Sequence, residues 1–372
     1  MKKNISISAK LFLSLFAIFV SFETFSQTFP YQNDYALGLD LSFVKQGEDR
    51  GTKYYDVDGT EKPALQIFRE HGYNWSRVMI CNEPTRRLPQ DLEYVVDAAK
   101  STKEYGYFFL LDMMFSNGWA NPMEQPTPSL WVDMSHKERV EAVYEYVHRV
   151  VSRLKDEGVM PDMIQIGNEI GNGFLWPDGR INYATPEQSK WENVADYLKA
   201  GVKAIRELED DEKKIKIMIH VDHGGDLEMS QTFFDNMNKY KVDYDVIGYS
   251  FYPWSHGTLL DLRDNLRMTA LRFKKEIIVV ETGYYYRQSN YFEDVKPPFP
   301  ETPEGQKEWF QAVNEIVLAT PNGLGKGVFW WHPVSGSRGF FDTETNVAKP
   351  IVEAFERYGL PVKRADGQTR IQ

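Results

Sequence analysis

Apolar runs of four to seven residues recur along the chain, and each is followed by a segment with apolar residues at helical spacing. The runs read as strands over Ala36–Leu41, Trp75–Ile80, Tyr107–Met113, Met163–Gly167, Ile215–His220, Val246–Phe251, Ile277–Val280 and Gly327–Trp331. The spacing predicts helices over Ala64–His71, Leu92–Tyr105, Lys137–Glu157, Pro186–Leu208, Met229–Lys239, Leu260–Phe273, Thr302–Ala319 and Ala348–Tyr358. Strands alternating with helices form a parallel sheet, because each crossover helix returns the chain in the same direction. Eight such units in order predict an α/β fold, a single (β/α)8 TIM barrel over residues 30–362. The rival, an open doubly wound sheet, wants a Gly-rich phosphate turn after the first strand. Asp40-Leu41-Ser42-Phe43 stands there instead.

Length agrees with one barrel: 372 residues hold a TIM barrel of about 250 residues plus insertions, and no Pro/Gly/Ser linker divides them. Hydrophobic residues are 42% and charged residues 26%, which excludes a disordered chain. The net charge of −11 argues against nucleic acid, whose phosphates need a basic surface. It also speaks against an anionic polysaccharide. Cys81 is the only cysteine, so no intramolecular disulfide and no multi-cysteine zinc site exist.

Lys2, Lys3 and Lys10 followed by the apolar run Leu11 to Val20 and small residues to Ser26 read as a signal peptide over residues 1–26. The run is too short for an ordinary membrane span, and no later segment is long and apolar enough. The expectation is an exported, periplasmic or secreted monomer.

In a (β/α)8 barrel the chemistry sits at the C-terminal ends of the strands. Glu169 and Glu281 each follow an apolar run there. A lone strand-end Glu is more often a cap or an ion-pair partner. Two glutamates facing one cavity are the parts of glycoside hydrolysis: one protonated to give a proton, one ionised to attack. Asn168 is placed to donate its amide to a sugar hydroxyl, Arg77 to keep Glu281 ionised, and Tyr252 to orient Glu281. For Arg77 and Tyr252 a barrel-packing role fits the spacing equally well. Asp40 and Asp112 end the first and third strands. His220 and Asp222, two apart, share a strand face. With His223 they resemble a small metal cluster, but sugar hydrogen bonding fits better, and no H-E-x-x-H spacing is present. Trp119, Trp176 and Trp331 fall in loops or at strand ends, where an indole stacks on a pyranose face. No G-x-S-x-G elbow and no P-loop appear.

These residues resemble those of glycoside hydrolase family 53, the endo-β-1,4-galactanases of the clan of retaining (β/α)8 glycosidases. The resemblance covers nearly the whole chain after the leader. It rests on Gly38-Leu39-Asp40-Leu41-Ser42, Gln165-Ile166-Gly167-Asn168-Glu169-Ile170 with Leu175-Trp176-Pro177, Ser250-Phe251-Tyr252-Pro253, and Val279-Val280-Glu281-Thr282-Gly283-Tyr284. It implies Glu169 as acid/base, Glu281 as nucleophile, Asn168 and Arg77 in support, and Trp331 as a floor under the reacting sugar. The chain departs after strand three, where the family usually carries His-Tyr-Ser-Asp and then Trp-Ala-Asp-Pro. Here stand Met114-Phe115-Ser116-Asn117 and Trp119-Ala120-Asn121-Pro122. Some members hold calcium in a long loop after strand eight; only His332 to Asn346 intervenes here, so neither metal nor cofactor is expected. The expected substrate is a neutral β-1,4-galactan, as polysaccharide or oligosaccharide. A same-clan glycosidase on another neutral β-glycan and a catalytically silent carbohydrate-binding barrel are the alternatives.

Overall fold

A computed structural model of the chain describes residues 35–84, 88–210, 213–334 and 336–356, and the backbone alone of 362–363 and 369–370. The signal-peptide segment, residues 1–26, lies outside the described residues. Eight parallel strands close into a barrel: β1 (Ala36–Asp40), β2 (Trp75–Cys81), β3 (Phe108–Met114), β4 (Met163–Ile166), β5 (Lys216–Val221), β6 (Val246–Phe251), β7 (Glu276–Thr282) and β8 (Gly325–Trp330). β8 pairs with both β7 and β1, which completes the ring. The expected barrel is therefore the observed one, and strand boundaries agree to within a few residues.

Alternation decides what each strand buries. One set of side chains fills the barrel interior: Ala36, Leu110, Met163, Met218, Val246, Ile278, Val280 and Phe329, with Trp75 against them. The opposite set, including Leu37, Val78, Leu111, Ile164, Ile219, Ile247 and Val279, packs outward into the layer shared with the helices. Gly38 leaves room for this filling, since a Cβ there would lie 2.2 Å from the Phe329 ring. Truncating fully buried Phe329 to Ala would cost about 3–5 kcal/mol.

The inward register continues two to four residues beyond the apolar layer and turns polar. Asp40, Arg77, Asp112, Gln165, His220 and Ser250 occupy those positions on β1 to β6, all buried. β7 reaches the same level by an irregularity. Val279 pairs with Tyr249 and Val328, but the next partners are Glu281 opposite Ser250 and Thr282 opposite Trp330. Strand β7 thus carries one extra residue against both neighbours, a bulge at Val280–Glu281. Plain alternation would send Glu281 outward with Val279. The bulge turns it into the barrel mouth.

Among the described residues seven α-helices cross over between strands, five of them started by side-chain caps: Asp91, Ser135, Asp226, Thr258 and Thr302. The expected helix 186–208 is divided, with a 3-10 turn at Pro186–Gln188 and the α-helix at Trp191–Leu208. The expected last helix, Ala348–Tyr358, is corrected to a 3-10 turn at Pro350–Glu353, and residues 357–358 lie outside the described residues. Pro350 disfavours the helical region for the residue before it, and Lys349 is extended at φ −91°, ψ 165°, with Ala348 N and Lys349 N bonded to Tyr55 O and Phe340 O, so the turn begins only at Pro350. A short helix, Val44–Asp49, and a two-stranded ladder of Tyr54–Tyr55 with Glu61–Lys62 were not signalled by periodicity. Among the described residues no helix is long and apolar enough to cross a membrane.

Candidate active site

A cavity of about 220 Å³ opens at the C-terminal mouth of the barrel, and Glu169, Glu281, Arg77, Asn168, Tyr252, Trp119 and Trp331 all line it. A larger cavity of about 440 Å³, walled by Pro253, Leu259, Leu260 and Val295, is apolar and holds no carboxylate. Size alone would mislead. The polar layer that needs explaining faces the smaller cavity.

Glu169 sits just past β4 on a tight turn. Gly167 has φ +84° and Glu169 has φ +49°, the left-handed region that non-glycine residues avoid. At Glu169 this conformation costs about 1–2 kcal/mol. The turn is held by Gln125, whose Nε2 donates to Asn168 O at 2.7 Å and lies 3.3 Å from Glu169 O. Gly167 is required as glycine, since a Cβ would lie 2.6 Å from Ile170 Cγ2. The result is a buried carboxyl aimed into the mouth rather than along the next helix.

The two glutamates live in opposed environments. Glu281 Oε1 stands 2.9 Å from Arg77 Nη2, and Tyr252 donates its hydroxyl to Glu281 Oε2 at 3.0 Å. Among the described residues no cation is in contact with Glu169; Ser250 Oγ donates to its Oε1 at 2.6 Å. Burial pushes Glu169 well above the ordinary carboxylate value, and the charges of Glu281 and Asp222 push it further. Burial raises Glu281 as well, but Arg77 and Tyr252 pull against it. We therefore order the pair with Glu169 the weaker acid, protonated, and Glu281 the one that ionises first.

Arg77 organises the floor. Nη1 donates to Asp40 Oδ2 at 2.8 Å; Nη2 donates to Asp112 Oδ2 and Asn168 Oδ1, each at 2.8 Å. Burial drives the Asp112 carboxyl up to about 7, against the pull of Arg77. Asp112 Oδ1 accepts from Gln165 Nε2 at 2.6 Å. Asp40 and Asp112, expected at the substrate, are instead buried behind Arg77. Their placement differs because Arg77, which lines the cavity, stands between them and the open space and takes both as ion-pair partners, without which a buried carboxylate is costly.

Asn168 is likewise fixed by the protein. Its Oδ1 accepts from Arg77 and Gln165, and its Nδ2 donates to Ala120 O at 2.8 Å, leaving one amide hydrogen for a ligand. His220 is fully buried and kept neutral by desolvation. It too stands behind the cavity wall. The single hydrogen of Ser250 goes to Glu169, so His220 must donate from Nε2 to Ser250 Oγ, 2.9 Å away. Its Nδ1 then accepts the Glu169 backbone N–H at 3.3 Å; the approach of Asn168 Oδ1 at 3.1 Å belongs to the other tautomer.

The tryptophans divide. Trp119 is 40% exposed at the rim. Trp331 follows β8, and its backbone N–H donates to Thr282 O at 2.9 Å. Trp176 does not line the cavity: its indole N–H donates to Asn172 O and Arg180 stacks on its ring. Asp222 lies just beyond β5, near enough to act on Glu169 electrostatically, beside His223 in a neighbouring cavity. Among the described residues no three His, Cys, Asp or Glu side chains converge as metal ligands.

Sequence reasoning missed several residues. Ser250 and Gln165 share the inward parity of their strands, a signal that was available. Arg338 had none: it lies in the loop after β8, lines the catalytic cavity, and stacks over Trp331 at 4.7 Å with Tyr285 and Trp254 nearby. Met79 and Met114 add an apolar wall.

The family model described as glycosyl hydrolase family 53 matches residues 36–356. An uncharacterized protein of Niallia circulans, from the bgaB 5' region, is 39% identical over 311 residues, 80% of this chain and 83% of the relative. A probable arabinogalactan endo-β-1,4-galactanase A of Neosartorya fischeri is 32% identical over 80% of this chain and 83% of its own. The GH53 catalytic domain of Ignisphaera aggregans superposes with a TM-score of 0.78 at 29% identity, over 88% of this chain and 97% of that one. A fungal β-1,4-galactanase structure gives 0.77 at 30% identity, over 86% and 98%. Barrel, paired glutamates and family match agree: this chain is a glycoside hydrolase belonging to family 53.

Proposed function

We propose that the protein is an exported, retaining endo-β-1,4-galactanase. One observation carries the mechanism: Glu281 is clasped by Arg77 at 2.9 Å and Tyr252 at 3.0 Å, whereas among the described residues no cation touches Glu169. Glu281, ionised, attacks the anomeric carbon while Glu169 gives its proton to the departing glycosidic oxygen. The glycosyl–Glu281 ester is then opened by water, whose proton returns to Glu169. That arrangement also disfavours a catalytically silent sugar-binding barrel. The galactan assignment is supported by relatives described as arabinogalactan endo-β-1,4-galactanases. The reading of export is supported by the Lys-rich start and apolar run at residues 2–20.

Incubation with β-1,4-galactan followed by chromatographic product separation tests this. Shortened chains are expected, and Glu281→Ala and Glu169→Gln are expected to abolish them while circular dichroism stays native. Full activity in either variant contradicts the roles.

A second reading, another neutral β-glycan, is favoured by Met79 and Met114 on the cavity wall. Neither thioether serves a sugar hydroxyl well. Turnover of a mannan or glucan above galactan in a polysaccharide panel would select it.

A further inference from the structure

The catalytic cavity is lined by a cation besides Arg77, and the double displacement does not use it. Arg338 stands on the short 3-10 turn Gly336–Arg338 in the loop after β8. Its backbone is pinned: the carbonyl accepts from the indole N–H of Trp330 and from Gln306 Nε2, each at 3.0 Å, and both donors are fully buried. The guanidinium lies 4.7 Å from the Trp331 ring centre, 5.5 Å from that of Tyr285 and 5.8 Å from that of Trp254. These cation–π contacts hold the head in place and leave its N–H donors unspent.

Arginines withdrawn from water are otherwise partnered in this chain. Arg77, Arg139, Arg153 and Arg206, buried or half-buried, each meet at least one carboxylate. Arg69 gives its Nη1 to Tyr73 O at 2.6 Å. Arg338 is half-buried in a chain with 54 acidic and 43 basic residues, yet among the described residues no carboxylate pairs with it. A cation drawn out of water calls for a counter-charge. The catalytic acids do not supply it: Glu281 is taken by Arg77 and Tyr252, and Glu169 by Ser250. A guanidinium fork matches a carboxylate with two parallel N–H···O bonds. The ligand is then the source of that carboxylate.

Topology says where on the ligand it sits. β8 lies four strands from β4 in either direction round the ring, so the Arg338 loop stands across the mouth from Glu169. An acid that protonates the glycosidic oxygen stands on the side from which the leaving group departs. Arg338 is therefore on the non-reducing side. It stacks on Trp331, the floor under the reacting sugar, and so meets the next sugar outward. We propose that Arg338 selects a galactan chain whose sugar next to the reacting one is a uronate, and that its fork binds the C6 carboxylate. The net charge of −11 opposes a polyanion, whereas one fork suits one acidic sugar in a neutral chain. This rests on the galactanase reading above and adds to it the substituent that the site selects.

The test compares two aryl glycosides with the same leaving group. The nitrophenol departs, so both sugars stay on the non-reducing side. One substrate is nitrophenyl β-1,4-galactobioside; in the other the outer galactose is oxidised at C6 to the uronate. Wild-type kcat/KM is expected to be at least about tenfold higher for the uronate, with the preference shrinking as salt is raised. Arg338→Ala is expected to erase the preference, slowing the uronate at least about tenfold more than the neutral bioside. Arg338→Lys, which keeps the charge without the fork, is expected to retain part of it. A wild type that does not prefer the uronate, or an Arg338→Ala variant that loses equally on both substrates, would overturn the proposal: Arg338 would then only serve neutral hydroxyls. A wild-type enzyme that cleaves neither substrate would instead overturn the galactanase reading itself.

Discussion

Ser250 Oγ donates a hydrogen bond to Glu169 Oε1 at 2.6 Å, and this contact, with the more distant charge of Arg77, restrains how weak an acid Glu169 becomes. The bond favours the ionised form, against burial. Activity needs protonated Glu169, so kcat/KM falls as pH rises through its pKa. Ser250→Ala removes a pull toward ionisation. The basic limb of the pH profile is therefore expected to move to higher pH, with kcat lowered about tenfold by the looser carboxyl. A limb that stays in place or moves downward contradicts the assignment of Glu169 as acid.

Tyr252→Phe acts on the opposite limb. Glu281 must be ionised to attack, and the Tyr252 hydroxyl at 3.0 Å favours that form. Its loss raises the Glu281 pKa. The acidic limb is expected to move to higher pH while the basic limb holds. Comparing both limbs in the two variants separates the carboxylates' roles.

Arg77 joins Asp40, Asp112 and Glu281 in one buried cluster. Arg77→Ala would leave three buried carboxyls without their cation. The loss of stability is expected to be about 3–5 kcal/mol, read as a lowered midpoint in urea denaturation. Arg77→Lys keeps the charge but not the fork that reaches several acids, and is expected to fall between. A variant as stable as wild type would show that the cluster is not held by Arg77.

Gly171→Ala tests whether the turn geometry matters to catalysis. The added Cβ would meet Asp222 Oδ1 at 2.4 Å and His223 Nε2 at 2.6 Å, so either those side chains or the segment after Glu169 must give way, and the buried His223 ring favours movement of the segment. A displacement near 1 Å at a catalytic group costs about 100-fold in rate. The expected result is a kcat drop of that order with native circular dichroism.

Much of this architecture was legible in the chain. Apolar runs such as Val246–Phe251 are buried on both sides, and a barrel strand must be. His220 and Asp112 are picked out in sequence as polar residues at the ends of apolar runs, and they share the inward parity of Met218 and Leu110. Parity says which way a side chain points, though not how far up the barrel it sits. Asp40, Asp112 and His220 therefore read as sugar ligands although they support the floor. Glu281 broke the pattern altogether, because a bulge has no reliable mark in sequence. Arg338 and the Asp222–His223 cavity depend on loops meeting across the mouth, which no local spacing encodes. The last helix was overcalled because its apolar spacing is real while Pro350 and strand-like bonds to Phe340 and Tyr55 hold its start elsewhere.

The central claim is that Glu281 becomes covalently attached to the sugar. A 2-deoxy-2-fluoro galactobioside with an activated leaving group should glycosylate Glu281, expel that leaving group and stall as the glycosyl ester, because the fluorine slows release. Peptide mass spectrometry is expected to find the added glycosyl mass on the fragment containing Glu281, and no such mass in Glu281→Ala. A label on Glu169, or rapid turnover of the trap to a product of inverted anomeric configuration, would contradict the account.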